Sequence, residues 1–302
     1  MTRLAAHIND AGITLLGSDG MLYREPGFAF LDRDRLATGN EALANARIHP
    51  RSIQHRFWKQ LHTEPIADRR FSHLSPADLA SHQLEQMWRA AGGASELVLA
   101  VPGYMSAGEL GLLLGIAGEL KLPVVAMVDA AVAATRREYR NAVPVHIDLG
   151  LHAATLGRLS QHGQAQLERM EVVDDCGIYA LYDAWLNAVA EEFVQQSRFD
   201  PLYDAETEQL LLNNLPGWLA EAAARETVSL QLAYRGAEHK AEIESLALLR
   251  AAAPPLGPGC RRGRTGRRRN RQRRRADAPV VRGHGLADRQ WRSRHRVAGN
   301  RR

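Results

Sequence analysis

Apolar segments at Leu4–Ile8 and Ile13–Gly17 flank the polar run Asn9-Asp10-Ala11-Gly12. This pattern predicts a strand, a tight turn and a returning strand, with a further turn at Ser18-Asp19-Gly20. The order recurs later in the chain. Val145–Ile147 reads as a strand, Asp148-Leu149-Gly150 as a turn and Ala154–Leu159 as the return strand. Gln161-His162-Gly163 turns again, and Gln164–Val173 alternates in part. The two aspartates are 138 residues apart, a spacing that suggests a duplicated domain rather than a solenoid.

Helical and strand patterns alternate between the two copies. Leu79, Leu84, Met87 and Trp88 predict a helix over Pro76–Ala91, ended by Gly92-Gly93. Glu96–Val101 reads as a buried strand closed by Pro102. Ser106–Leu120 reads as a helix with Ser106 and Glu109 as a capping box. Its glycines lie inside the helix, so they do not form a dinucleotide-binding turn. Pro123–Val128 predicts a strand and Asp129–Arg140 a helix. Helices are expected at Gly177–Gln196, Ala205–Leu212, Trp218–Arg225 and Ala241–Arg250, with a strand at Val228–Tyr234. The fold class is therefore α/β, with halves at 1–142 and 143–250.

Charge divides the chain differently. The net charge is +5 over 302 residues, but residues 251–302 hold 17 Arg, no Lys and two acids, which leaves residues 1–250 at −10. The segment Ala251–Arg302 also lacks Ile, Phe, Tyr and Met. Such a composition cannot bury enough apolar area to offset its ordering entropy, so a disordered tail is expected. Two origins fit it. A nucleic-acid arm would neutralise phosphates with guanidinium groups. A frame-shifted end of GC-rich coding sequence would also be rich in Arg, Gly, Ala and Pro.

Other classes are excluded more simply. No apolar run reaches the roughly 18–20 residues of a membrane span, and Met1–Gly12 has no signal-type apolar segment. Cys176 and Cys260 are too few for a disulfide framework or a multi-cysteine metal site, and they fit a reducing cytoplasm.

Taken in order, several motifs resemble one family. Asp10-Ala11-Gly12-Ile13-Thr14 is similar to a first phosphate loop, D-x-G-T-T. Leu97–Tyr104 is similar to a strand ending V-P-A-Y, Val128–Ala134 to N-E-P-T-A-A-A, and Asp148-Leu149-Gly150 to a second phosphate loop, D-L-G-G-G-T. Over about residues 4–250 the chain resembles the actin-like ATPases, most closely the nucleotide-binding domain of the seventy-kilodalton heat-shock (DnaK-type) chaperones. The resemblance implies two ribonuclease-H-like halves around a cleft that binds ATP. Asp10, Gly12, Thr14, Asp148 and Gly150 would contact nucleotide. Asp10 and Asp148 would hold Mg²⁺ through its waters, Asp129 would orient the attacking water, and Lys59 would offset phosphoryl charge.

The departures are equally definite. Ile13 replaces a hydroxyl residue, Leu151-His152-Ala153 stands where Gly-Gly-Thr belongs, and Asp129 is shorter than Glu. The adenosine-gripping helix is poorly matched, with Glu221 and Arg225 as candidates. Each residue also has a structural reading: Asp10 in a plain hairpin turn, Asp129 as a helix cap, Lys59 as a solvated lysine and His152 as a surface loop residue. Three functions follow. The chain is an ATP-binding chaperone-like protein with weak or absent hydrolysis, an interaction module that has lost ATP, or a nucleic-acid binder through its tail. The expected partners are nucleotide and other proteins, with no membrane.

Overall fold

The computed structural model describes residues 2–33, 35–135 and 137–256, all within one unit, Met1–Gly263. The first 25 residues form a meander of β1 (Arg3–His7), β2 (Ile13–Gly17) and β3 (Gly20–Glu25). A small sheet follows, of β4 (Ala29–Asp32), β5 (Arg35–Thr38) and β6 (Ile53–Gln54), with α1 (Asn40–Leu43) after β5. Then come α2 (Pro76–Ala90), β7 (Glu96–Val101), α3 (Ala107–Glu119), β8 (Val124–Asp129) and the short α4 (Ala130–Ala134).

Strands β1, β2, β3, β7 and β8 make one mixed sheet in the order β3-β2-β1-β7-β8. The meander pairs antiparallel, with His7 opposite Thr14. Strands β7 and β8 run parallel to β1, with Arg3 opposite Glu96 and His7 opposite Ala100. The helices between parallel strands explain this topology, because a parallel return needs a long crossover. Capping boxes at Ser75/Asp78 and Ser106/Glu109 start α2 and α3. Leu4, Ala6, Ile8, Leu97, Leu99 and Val101 are buried between sheet and helices in the largest core cluster.

The second part opens on another antiparallel meander, β9 (Val145–Leu149), β10 (Ala153–Gln161) and β11 (Ala165–Asp174), in the order β11-β10-β9. It continues as α5 (Ile178–Ser197), α6 (Ala205–Ala222), the hairpin β12 (Thr227–Tyr234) and β13 (Ala237–Glu244), and α7 (Ser245–Leu256). A second core cluster, including Phe193, Leu211, Trp218, Val228 and Ile243, joins these helices to the hairpin. Leu151 leaves the second meander to pack with Phe28 and Phe30 in a third cluster. The fold class is thus mixed α/β, as the sequence pattern predicts.

Four elements differ from expectation. Ala241–Glu244 completes β13 and is not helical, because Ala241 and Ile243 alternate inward against the exposed Glu242 and Glu244. The helix expected over Asp129–Arg140 stops at Ala134; beyond it, Gln161 accepts from the Tyr139 amide and donates to the Arg137 carbonyl. Ala205–Leu212 and Trp218–Arg225 merge into the single α6, which runs through Pro216. Finally, α7 continues through Ala251 to Leu256, with Ala252 buried, so the expected tail does not begin at Ala251. Residues 257–302 lie outside the described residues.

Candidate functional site

The two meanders meet at their first hairpins. In the first, Asn9–Gly12 form a four-residue turn in which the Gly12 amide donates to the Asn9 carbonyl at 2.9 Å. In the second, the turn spans Gly150–Ala153, with the Gly150 amide donating to the Ala153 carbonyl at 2.8 Å. The turn is therefore not at Asp148-Leu149-Gly150. Asp148 and Leu149 belong to β9, and the loop dips one step later because Leu151 anchors it in the core.

This register makes His7 and Asp148 equivalent, each two residues before its turn, and makes Asp10 equivalent to Leu151. The hairpins face each other through these pairs. His7 Nε2 lies 3.6 Å from Asp148 Oδ2, an ion-pair distance too long for a hydrogen bond. Asp10 Oδ1 accepts from the Leu151 amide at 2.6 Å. Asn9 supports both sides: its amide donates to Asp148 Oδ1 at 2.6 Å and to the Leu149 carbonyl at 3.2 Å, and its carbonyl accepts from the Ala11 amide. Asp10 and Asp148 are thus brought near each other from positions 138 residues apart.

The two carboxylates differ in state. Asp10 is buried, and desolvation pushes its pKa up to about 6, against the Leu151 amide and the charge of Lys59. Burial also disfavours the Asp148 anion. There, however, His7, His146 and Asn9 outweigh it and hold the carboxyl below the usual range. His7 and His146 carry buried Nε2 atoms without a hydrogen-bond partner among the described residues.

Neither Lys59 nor Asp129 is free of other duties. Lys59, carried between the buried Trp58 and Leu61, pairs with Asp174 at the end of β11. Asp129 caps α4, its Oδ1 accepting from the Ala131 and Val132 amides at 2.8 and 3.3 Å. Its other oxygen faces Gly103, where a Cβ would come within 2.4 Å. A narrow cleft with about 260 Å³ of open space runs past Gly103, Asp129, His146, Asp148, Thr155 and Met170. Glu221 and Arg225, at the C-terminal end of α6, do not line it.

The fit to a nucleotide phosphate is poor. Phosphate cradles work through unpaired amides aimed at the anion. Here Ala11, Gly12, Gly150 and Leu151 all spend their amides inside the chain. Thr14 donates its hydroxyl to the Gly12 carbonyl at 2.9 Å. A Cβ on Gly150 would meet Asp10 Oδ1 at 2.8 Å, so the space that glycine opens is filled by a carboxylate. For Mg²⁺, two carboxylates meet, but Asp10 is buried and hydrogen-bonded inward, and no described group of three or more His, Cys, Asp or Glu could hold a metal ion.

His7, Asn9, His146 and Gly103 complete the site and are not singled out by the sequence pattern. The usable signal was the hairpin register, which equates His7 with Asp148. His152 is no surface loop residue. It is buried and packs beside His55 and Tyr179, with Nε2 2.9 Å from His55 Nδ1. No protein-family model matches this chain, and no curated protein matches it. Among the described residues, no helix is long and apolar enough to cross a membrane.

Proposed function

We propose that residues 4–250 are a divergent actin-like body of the DnaK type, built from two ribonuclease-H-like halves, that acts as a non-enzymatic interaction module. Two features support the architecture. The first sheet is a three-stranded meander extended by two parallel strands, and a second meander follows whose hairpin meets the first turn to turn. One observation carries the loss of catalysis: the Leu151 amide, in the turn that should grip phosphate, is taken by the Asp10 carboxylate. Asp10 acts as an internal anion, and an incoming phosphate would have to displace it and then face its charge. Lys59 and Asp129 are likewise committed to Asp174 and to the α4 cap.

A second reading has an observation of its own. Asp148 and Asp129 line one cleft and Asp10 lies close enough to Asp148 to feel its charge, a grouping of carboxylates that an ATP·Mg²⁺ site with weak or absent hydrolysis would use. Calorimetry of the full chain with ATP, with and without Mg²⁺, separates the two. The module reading expects no saturable heat in either titration. Saturable binding that Mg²⁺ strengthens, and that Asp10→Ala or Asp148→Ala weakens by about 1–3 kcal/mol, would establish the second reading instead. In that case Asp129→Asn should lower turnover more than binding, because a water-orienting group acts mainly in the transition state.

A further inference from the structure

His152 is the side chain of the second turn that can gain a charge, and it meets a second histidine. Its Nε2 lies 2.9 Å from His55 Nδ1 and 2.8 Å from the His55 carbonyl oxygen. A carbonyl only accepts, so His152 Nε2 carries the hydrogen, His55 Nδ1 is an acceptor, and the His55 hydrogen sits on its Nε2. The contact joins three separate elements. His55 follows β6, His152 belongs to the Gly150–Ala153 turn, and Tyr179, in the first turn of α5, stacks on His55 with ring centroids 4.6 Å apart.

This neutral arrangement has no room for two further protons. One added to His55 must go to Nδ1, where it points at the hydrogen on His152 Nε2. One added to His152 goes to its Nδ1 and leaves both contacts intact, but it puts a cation in a buried site. The surrounding charges oppose both additions. Arg56 and Arg47 face His55, and Arg56 and Lys59 face His152. Asp183, on α5, favours a charged His55, but it is already paired with Arg47 at 2.5 Å. Glu208, on α6, also pairs with Arg47, and Asp174, at the end of β11, pairs with Lys59. Burial, ahead of these charges, lowers both imidazoles to about 4.

We propose that the His55–His152 pair is an acid-sensitive latch, closed at neutral pH, whose charging releases the Gly150–Ala153 turn from the first part of the chain. The turn is the weak point because its hold is small. Leu151 and Tyr179 are the members of the third core cluster that come from the second part; the others lie between Phe28 and Ile53. The second cluster, around Phe193 and Val228, is larger and does not include the turn. Displacing His152 moves its neighbour Leu151 out of the smaller cluster, so the turn opens while the helices and hairpin behind it stay packed. Freed imidazoles recover their ordinary pKa, so opening takes up protons and becomes more favourable as pH falls from 6.5 towards 4. The latch goes beyond the interaction-module reading and is independent of it. ATP binding found by calorimetry would leave it standing, and its own failure would leave the Asp10–Leu151 bond untouched.

The test uses the full chain and hydrogen exchange, corrected for the intrinsic effect of pH on exchange rate. The reporters are the Ile178 and Tyr179 amides, which donate to the Gly150 and Leu151 carbonyls at 3.0 Å. Their protection should fall about tenfold or more between pH 7 and pH 5, while the β12–β13 ladder keeps its protection. Return to pH 7 should restore it. His55→Asn combined with His152→Gln keeps an acceptor and a donor near the same positions without a group that can charge. This double variant should flatten the pH dependence at the two reporters. Three results would overturn the proposal: reporter protection that does not change with pH, protection lost equally across β12 and β13, or a double variant with the wild-type dependence. If the double variant does not fold, the wild-type comparison between the reporters and β12–β13 decides the matter.

Discussion

Asp10 is the residue at which stability and site chemistry conflict. Its pKa is raised to about 6, so folding takes up a proton, and its contribution becomes less favourable as pH climbs from 4 to 6. Asp10→Asn keeps an oxygen for the Leu151 amide and removes the buried charge. It should stabilise the protein at pH 7 by about 1–3 kcal/mol in chemical denaturation. His55 and His152 act in the opposite direction. Burial lowers both to about 4 from an ordinary 6.5, so the unfolded chain protonates first and stability is lost as pH falls from 6.5 towards 4. With two such histidines against one aspartate, the wild type should lose stability over this window, and Asp10→Asn should steepen the loss. Proton NMR should find both imidazoles titrating near pH 4; titration near 6.5 would contradict their burial.

At the scale of elements, the joints between hairpin and helix are the sensitive points. Gly177 caps α5 against the second turn, and a Cβ there would lie 2.4 Å from the Leu151 carbonyl oxygen and 2.6 Å from the His152 amide nitrogen. Both are backbone atoms and cannot swing aside. Gly177→Ala should lower stability by about 1–3 kcal/mol, read as a shift in denaturation midpoint. Asp129→Ala removes two cap bonds to α4 and should cost about 1 kcal/mol. This scale was the most legible from sequence. The strands at Leu4–Ile8 and Glu96–Val101 and the helices from Pro76 and Ser106 follow from apolar spacing and capping residues alone. One misreading has a clear origin. Ala241–Glu244 contains residues compatible with either period, and only the pairing of β13 with β12 decides between them. The site was half legible. Asp10 and Asp148 stand out as a repeated Asp-x-Gly, but the register offset that pairs Asp10 with Leu151, and His7 with Asp148, depends on where Leu151 buries. That is a tertiary fact with no local signature.

At the scale of the molecule, a five-stranded mixed sheet and, among the described residues, a three-stranded meander are joined turn to turn by Asp10 and Asn9. The first has a strand on both sides of β1; in the second, β9 has only β10 beside it among the described residues. Charge adds a separate expectation, because residues 251–302 are strongly basic beside an acidic body. If the segment is a genuine arm, DNA binding by the full chain should weaken steeply with salt and show little sequence preference. The central claim is that the Asp10 carboxylate holds the Gly150–Ala153 turn and leaves no amide there for a phosphate. Titration calorimetry of the full chain with ATP·Mg²⁺ tests it most directly: no saturable heat is expected, and saturable binding that Asp10→Ala or Asp148→Ala weakens would contradict it.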